Sequence, residues 1–223
     1  MSTTSPKESF FRERLLNWHH QINNRTLPWK EETDPYKIWL SEIILQQTRA
    51  EQGLPYYQRF IQQYPDVSSL ALAPQEEVFR LWQGLGYYSR CKNLHRTARL
   101  IHADYNGKFP DTYEELLRLP GVGAYTAAAI ASFAFGLPHA FVDGNVYRVL
   151  ARFFGIDLPI DTIEGKKHFA TLASRLLDPQ QPAAYNQALM DFGAVVCKPK
   201  QPLCESCPLS AHCVAFKKEL IPL

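Results

Sequence analysis

Four cysteines fall within seventeen residues near the end of the chain, spaced Cys197-x6-Cys204-x2-Cys207-x5-Cys213. Thiolates this close in sequence can converge on one soft metal centre without a large fold to gather them. Thiolate-only ligation suits an iron–sulfur cluster or zinc. Structural zinc sites more often use two separated Cys-x2-Cys knuckles. Here one such pair is flanked by longer arms, so the spacing favours a cluster and leaves zinc open. Disulfides are disfavoured, because the chain has five cysteines and its first nine residues, Met1 to Ser9, are polar with no apolar signal region. The fifth, Cys91, reads as a small buried hydrophobe.

With 223 residues, 46% of them hydrophobic, the chain can bury one large core or two modest ones. Its longest apolar stretch, Ala127 to Phe135, is far shorter than the roughly 20 residues a membrane span requires, so an intracellular globular protein without membrane association is expected. A net charge of +2 decides nothing about partners. Basic residues do cluster locally, with Lys198 and Lys200 inside the first cysteine loop and Lys217 and Lys218 after the last cysteine. Such a cluster is either a solvated face or a phosphate contact beside a rigid loop.

Strand-like alternation is essentially absent, and the chain reads as all-α. Asp34-Pro35 looks like an N-cap followed by proline at the first helical position, starting a helix that runs through Gln47. Other helices are expected over 8–22, 51–63, 74–82, 87–105, 112–118, 124–135, 145–154, 163–176 and 182–196. Breakers separate them, among them Tyr64-Pro65, Gly84 with Gly86, Asn106-Gly107, Pro138 and Asp178-Pro179. Residues 25–136 are expected to form a six-helix bundle. Residues 1–24 and 137–223 form a second helical lobe carrying the cysteine loop, 197–213.

Gly84-Leu85-Gly86-Tyr87-Tyr88-Ser89 is weakly echoed by Gly121-Val122-Gly123-Ala124-Tyr125-Thr126, each between two expected helices. Two glycines around an apolar residue allow a tight turn, and the amides opening the next helix make a ready phosphate site. A plain helix–helix turn explains most such pairs, but the full Leu119-Pro120-Gly121-Val122-Gly123 run strengthens the phosphate reading. Two carboxylates invite a catalytic reading. Glu42 lies among Ile38, Trp39, Leu40, Ile43, Ile44 and Leu45, where desolvation raises a carboxyl pKa as a general acid requires. Its competing reading is a polar helix face with Gln46 and Arg49. Asp143, ahead of Gly144-Asn145-Val146, is at least a helix N-cap, and a rigid cap can also fix a catalytic carboxylate.

Leu-Pro-Gly-Val-Gly at 119–123, an Asp twenty residues after Gly123, and the terminal cysteine quartet resemble the helix-hairpin-helix DNA glycosylases of the endonuclease III superfamily. Leu27-Pro28-Trp29, Ser41-Glu42, Leu45 to Thr48, Gly84 to Tyr88 and Asp143 to Val146 are similar to the adenine-specific family within it. The resemblance covers nearly the whole chain. It implies a helix-hairpin-helix at about 112–135, an active site in the cleft between bundle and lobe, and a 4Fe–4S cluster on Cys197, Cys204, Cys207 and Cys213. The implied partner is double-stranded DNA with a mismatched adenine, met by a monomer in the bacterial cytoplasm at the nucleoid.

The resemblance also distributes roles. Glu42 protonates the departing base and Asp143 stabilises the sugar cation, with Tyr125 and Asn145 ordering them. Gln47 and Tyr87 fill the gap left by the flipped base. Arg25, Leu27, Trp29 and Gln187 line the base pocket, while Gly121, Gly123, Lys198 and Lys200 meet phosphates. Bifunctional relatives carry a lysine where this chain has Tyr125, so a monofunctional enzyme is implied. The chain ends ten residues after Cys213, whereas the adenine enzymes are expected to continue into a domain that reads 8-oxoguanine. A thymine mismatch glycosylase, which shares Tyr125 and lacks that domain, is therefore the alternative, although Gln46-Gln47 favours adenine. A non-catalytic iron–sulfur DNA-binding module is the third reading, disfavoured by Glu42 and Asp143 together.

Overall fold

The computed structural model describes residues 5–30 and 32–221, and among these the chain is helical with no strand. Residues 1–4, 31, 222 and 223, which fall within the lobes expected above, lie outside the described residues. The helices are α1 (Pro6–Gln21), α2 (Pro35–Leu45), α3 (Ala50–Gln63), α4 (Val67–Leu72), α5 (Gln75–Trp82), α6 (Tyr88–Asp104), α7 (Tyr113–Leu116), α8 (Ala124–Phe135), α9 (Gly144–Phe154), α10 (Ile163–Leu176), α11 (Pro182–Val195) and α12 (Val214–Lys217). None is long and apolar enough to cross a membrane.

Short polar side chains set half of these helix starts. Asp34 accepts the Tyr36 N–H at 2.9 Å ahead of Pro35, which has no N–H to lose at that position. Ser5 and Glu8 form a reciprocal capping box on α1, as Asp66 and Ser69 do on α4. The α4 helix was not expected from its Val-Ser-Ser-Leu-Ala-Leu sequence, and only that box announces it. The α2 helix stops at Leu45, two residues before its expected end, because Gln46 leaves helical geometry and Gln47 takes a φ of +55°.

The chain divides into two compact units, Thr26–Phe135 and a second made of Met1–Arg25 with Gly136–Leu223. Among its described residues Thr26–Phe135 holds seven helices, α2 to α8, one of them only four residues long, where six were expected. Its core gathers Ile38, Trp39, Leu40, Ile43 and Ile44 of α2 with Phe60, Leu70, Trp82, Leu94 and Ile101. Each such side chain stabilises the unit by about 1.5–3 kcal/mol on burial. The α8 helix packs against α2 through the small buried run Ala127 to Ala131, which lets the two backbones approach closely.

The other unit joins the two ends of the chain around one core. Phe11, Leu15 and Trp18 of α1 meet Leu150 and Phe153 of α9, Phe169 of α10, and Leu189 and Phe192 of α11. The Phe11 and Phe153 rings lie 4.8 Å apart, and Trp18 meets Phe192 edge-on at 5.0 Å.

Candidate functional site

In Thr26–Phe135, α7 and α8 are joined by a turn centred on Pro120 and Gly121. The Val122 N–H returns to the Leu119 carbonyl at 3.1 Å, and Gly121 takes a φ of +77° that proline before it and glycine at this place allow. A Cβ on Gly121 would also lie 2.8 Å from Cβ of Asn93. Gly123 differs: nothing stands within 4 Å of where its Cβ would be, and its backbone is not left-handed. The fold itself does not require glycine there. The first intrahelical bond of α8 runs from Ala127 N–H to Gly123 O, so the amides before it open the helix N-terminus.

Glu42 sits in the last turn of α2 and is half-buried. Gln46 reaches the Thr126 hydroxyl of α8 at 3.4 Å. Arg49 lies beyond α2, at the start of α3, so Glu42, Gln46 and Arg49 do not form one continuous helix face. Tyr125 is in the first turn of α8 and half-buried. Trp29 packs edge-on against Tyr57 at 5.3 Å, and the Leu27 carbonyl accepts the Lys30 N–H in the turn before α2. Gln47 and Tyr87 are both exposed, and both hold left-handed backbone, with φ of +55° and +49°.

In the other unit, Asp143 caps α9. One carboxylate oxygen accepts the Val146 N–H at 2.7 Å, the other the Asn145 side-chain amide at 3.1 Å. Both oxygens are thus fixed in place by hydrogen bonds. Asn145 is held in turn by Arg148, whose Nη2 donates to Asn145 Oδ1 and to the Gly193 carbonyl, each at 2.7 Å, while its Nε donates to the Cys197 carbonyl at 2.8 Å. Gly193 lets α11 come this close, since a Cβ there would lie 2.6 Å from that of Asn145. One turn later on α9, Arg152 donates to the Lys198 carbonyl at 2.7 Å, the Pro199 carbonyl at 3.2 Å and the Cys197 sulfur at 3.5 Å. Lys198 is half-buried and Lys200 exposed on the loop so anchored. Arg25 pairs at 2.8 Å with Asp191, which is fully buried on α11, one turn after the half-buried Gln187.

Cys197, Cys204, Cys207 and Cys213 all line one small cavity of about 30 Å³, together with Val196, Leu203, Phe216 and Ile221. Its wall is carbon and sulfur. Burial pushes the Cys207 thiol up to about 12, and burial with the neighbouring sulfurs raises Cys204. Four thiolates there at neutral pH need a cationic centre to balance them, which is the donor chemistry of an iron–sulfur site. Among the described residues no group of three or more His, Cys, Asp or Glu side chains stands ready-made around a single ion. Cys91 is fully buried in the other unit, where burial alone raises its thiol to about 12.

Sequence reading did not single out Arg148, Arg152, Asp191 or Arg90. The first two are visible as an i, i+4 arginine pair on α9, but most of their targets are backbone carbonyls more than forty residues away. Asp191 is the single charged residue of α11, a signal present in the sequence itself.

Residues 40–175 match the family described as HhH-GPD superfamily base excision DNA repair protein. The chain is 41% identical over 92% of its length to an adenine DNA glycosylase of Buchnera aphidicola subsp. Baizongia pistaciae, and spans 58% of that protein. It is 44% identical over 93% of its length to an adenine DNA glycosylase of Mus musculus, of which it spans 42%. Among solved structures, a thermostable thymine-DNA glycosylase superposes with a TM-score of 0.86 at 33% identity, covering 95% of this chain and 97% of that one. The helical fold, the hairpin and these matches together place the chain in the HhH-GPD superfamily of base excision DNA repair proteins.

Proposed function

We propose that this chain is the catalytic region of a monofunctional DNA glycosylase that flips out and excises adenine mispaired with 8-oxoguanine or guanine. The observation that carries the reading is the carboxylate of Asp143, locked at a helix start by Val146 and Asn145, in a chain so similar to adenine DNA glycosylases. Adenine leaves poorly as an anion. Glu42, as the protonated acid, gives its proton to N7 of the base while the bond from N9 to C1′ lengthens, so adenine departs neutral. The sugar becomes oxocarbenium-like, and the rigidly held carboxylate of Asp143 stabilises that charge. Water then adds to C1′ and returns a proton to the site, leaving an abasic sugar in an intact strand. Tyr125 and Asn145 order the two carboxylates and the sugar.

Double-stranded DNA is the partner in this reading. Gly121, Gly123, Lys198 and Lys200 meet its phosphates, Arg25, Leu27, Trp29 and Gln187 line the pocket for the flipped base, and Gln47 and Tyr87 occupy the vacated stack. The four cysteines would hold a 4Fe–4S cluster, which when bound neutralises the thiolates and cross-links the 197–213 loop. A thymine mismatch glycosylase is the second reading, favoured by the likeness to a thymine-DNA glycosylase along almost the whole of both chains.

Single-turnover base release tests the choice, using duplexes with adenine opposite 8-oxoguanine, adenine opposite guanine, and thymine opposite guanine. Adenine release is expected, and release of thymine alone would replace the first reading with the second. Glu42→Gln keeps side-chain volume but removes the proton, so DNA binding should persist while release falls by at least about 10²-fold. Asp143→Asn can still cap α9 and should bind DNA yet lose turnover. Normal release by Glu42→Gln would sink the acid assignment.

A further inference from the structure

Arg90 lies in the first turn of α6, only 9% exposed, and no carboxylate forms a salt bridge with it among the described residues. Its charge is met instead by backbone carbonyls. Nη1 donates to Gln46 O at 2.6 Å, Ile44 O at 2.7 Å, Ile43 O at 3.2 Å and the Thr48 hydroxyl at 3.2 Å. These carbonyls end α2, where the helix dipole favours a cation. Nη2 reaches the other way, to Leu85 O at 3.5 Å and Gly86 O at 3.4 Å, and Gly86 O also accepts the Trp82 indole N–H at 2.9 Å. The guanidinium carbon stands 5.2 Å from the Trp82 ring and 5.4 Å from the Tyr87 ring.

Two of those acceptors belong to particular peptide units. Gln46 O is the carbonyl of the peptide leading into Gln47, and Gly86 O that of the peptide leading into Tyr87. Gln47 and Tyr87 are two of the five exposed non-glycine residues, among the described ones, whose φ values lie in the region L side chains disfavour, at +55° and +49°. Tyr87 is 62% exposed, so packing of its own side chain does not hold it there. One planar fork therefore fixes the peptide plane ahead of each strained residue and ties the two loops together. A lysine ammonium at this place is a single point and lacks the planar fork that reaches both loops.

We infer that Arg90 is the positioning residue that presets Gln47 and Tyr87 as a rigid pair for insertion into the DNA stack. The inference rests on the reading above that these two residues occupy the space of the flipped base. Pre-ordering both loops removes an entropic cost from the encounter and sets the spacing of the two side chains before DNA arrives.

The test is a double-mutant cycle in the full chain, read by fluorescence of 2-aminopurine placed beside the mismatched adenine, which brightens when the stack opens. This signal needs no bond cleavage. Arg90→Lys should reduce the rate of the fluorescence rise by roughly tenfold or more. In a Gln47→Ala, Tyr87→Ala background the same change should cost less than about twofold, because the groups it positions are gone. Equal losses in both backgrounds would mark Arg90 as a purely structural cap of α2 and overturn the inference. If Arg90→Lys does not fold by circular dichroism, Thr48→Val, which removes one anchor of the fork, carries the same cycle with the same two outcomes. A wild-type chain that opens the stack but releases no base would overturn the glycosylase reading and leave this one standing. No fluorescence rise with wild type would overturn the insertion itself.

Discussion

At the scale of single residues, the two hairpin glycines separate what the fold needs from what a ligand needs. Gly121 sits at φ +77° with Asn93 against it, so Gly121→Ala should destabilise the protein by about 1–2 kcal/mol. Gly123 has open space around its missing Cβ and ordinary backbone geometry. Gly123→Ala should therefore leave the midpoint of thermal unfolding nearly unchanged while weakening binding to duplexes of any sequence, because a methyl group there stands in the way of a close phosphate. Melting curves beside titrations with a matched duplex distinguish the two, and equal destabilisation would remove the phosphate assignment. Tyr125 makes a second contrast. It cannot form a Schiff base, so product strands should stay intact until heated or treated with alkali. Efficient borohydride trapping of a protein–DNA adduct with strand cleavage would contradict this. Both glycines and the tyrosine are readable in the bare sequence. Arg90 is not, since its partners are main-chain carbonyls of α2 and of the 85–86 turn, and carbonyls carry no sequence signal.

Most elements whose start a side chain marks were legible. Asp34, Thr112, Asp143 and Thr162 each cap a helix that begins at the following residue. The α4 helix escaped notice because a six-residue segment offers too few turns to show a period, and its box, Asp66 with Ser69, lacks the glutamate that usually flags one. The box on α1 is the strongest, and it carries a pH dependence. Glu8 accepts the Ser5 N–H at 2.8 Å and pairs with Arg175 at 2.6 Å. Chiefly the Ser5 hydrogen bond, and then the arginine, hold its carboxyl below the usual range. A depressed folded pKa adds stability that is present above the unfolded pKa and lost as pH falls through the folded one. Glu8→Gln should thus cost roughly 1 kcal/mol at neutral pH. The gap between wild type and variant should close as the pH drops below about 4. Thermal melts at a series of pH values read this directly, and a gap independent of pH would show that shape rather than charge matters there.

For the molecule as a whole, the unit that joins the chain ends has two supports of different kinds. One is the core around Phe11, Phe153, Phe169 and Phe192 of α1, α9, α10 and α11, which Leu209 of the cysteine loop joins at its edge. The other is the loop itself, tied to α9 by Arg148 and Arg152 and closed over a carbon-and-sulfur cavity. Burial and mutual repulsion raise the Cys204 and Cys207 thiols at that cavity, so a metal cluster that takes them as thiolates contributes its binding energy mainly to the loop. Purified under exclusion of oxygen, the protein should be yellow-brown and hold about four irons per chain. Removing iron by oxidation and chelation should leave most far-ultraviolet helical signal in place, because α1, α9, α10 and α11 pack through the aromatic core. It should at the same time open residues 197–217 to proteolysis. Affinity for duplexes should then lose part of its salt dependence, since Lys198 and Lys200 ride on the loop, and Lys198→Ala with Lys200→Ala in the iron-loaded protein should reproduce that loss by lowering the slope of log affinity against log salt by up to about 2. Stoichiometric zinc in active, anaerobically prepared protein would refute the cluster. An unchanged salt slope in the double variant would instead separate the metal loop from DNA binding and leave it a purely structural clasp on α9.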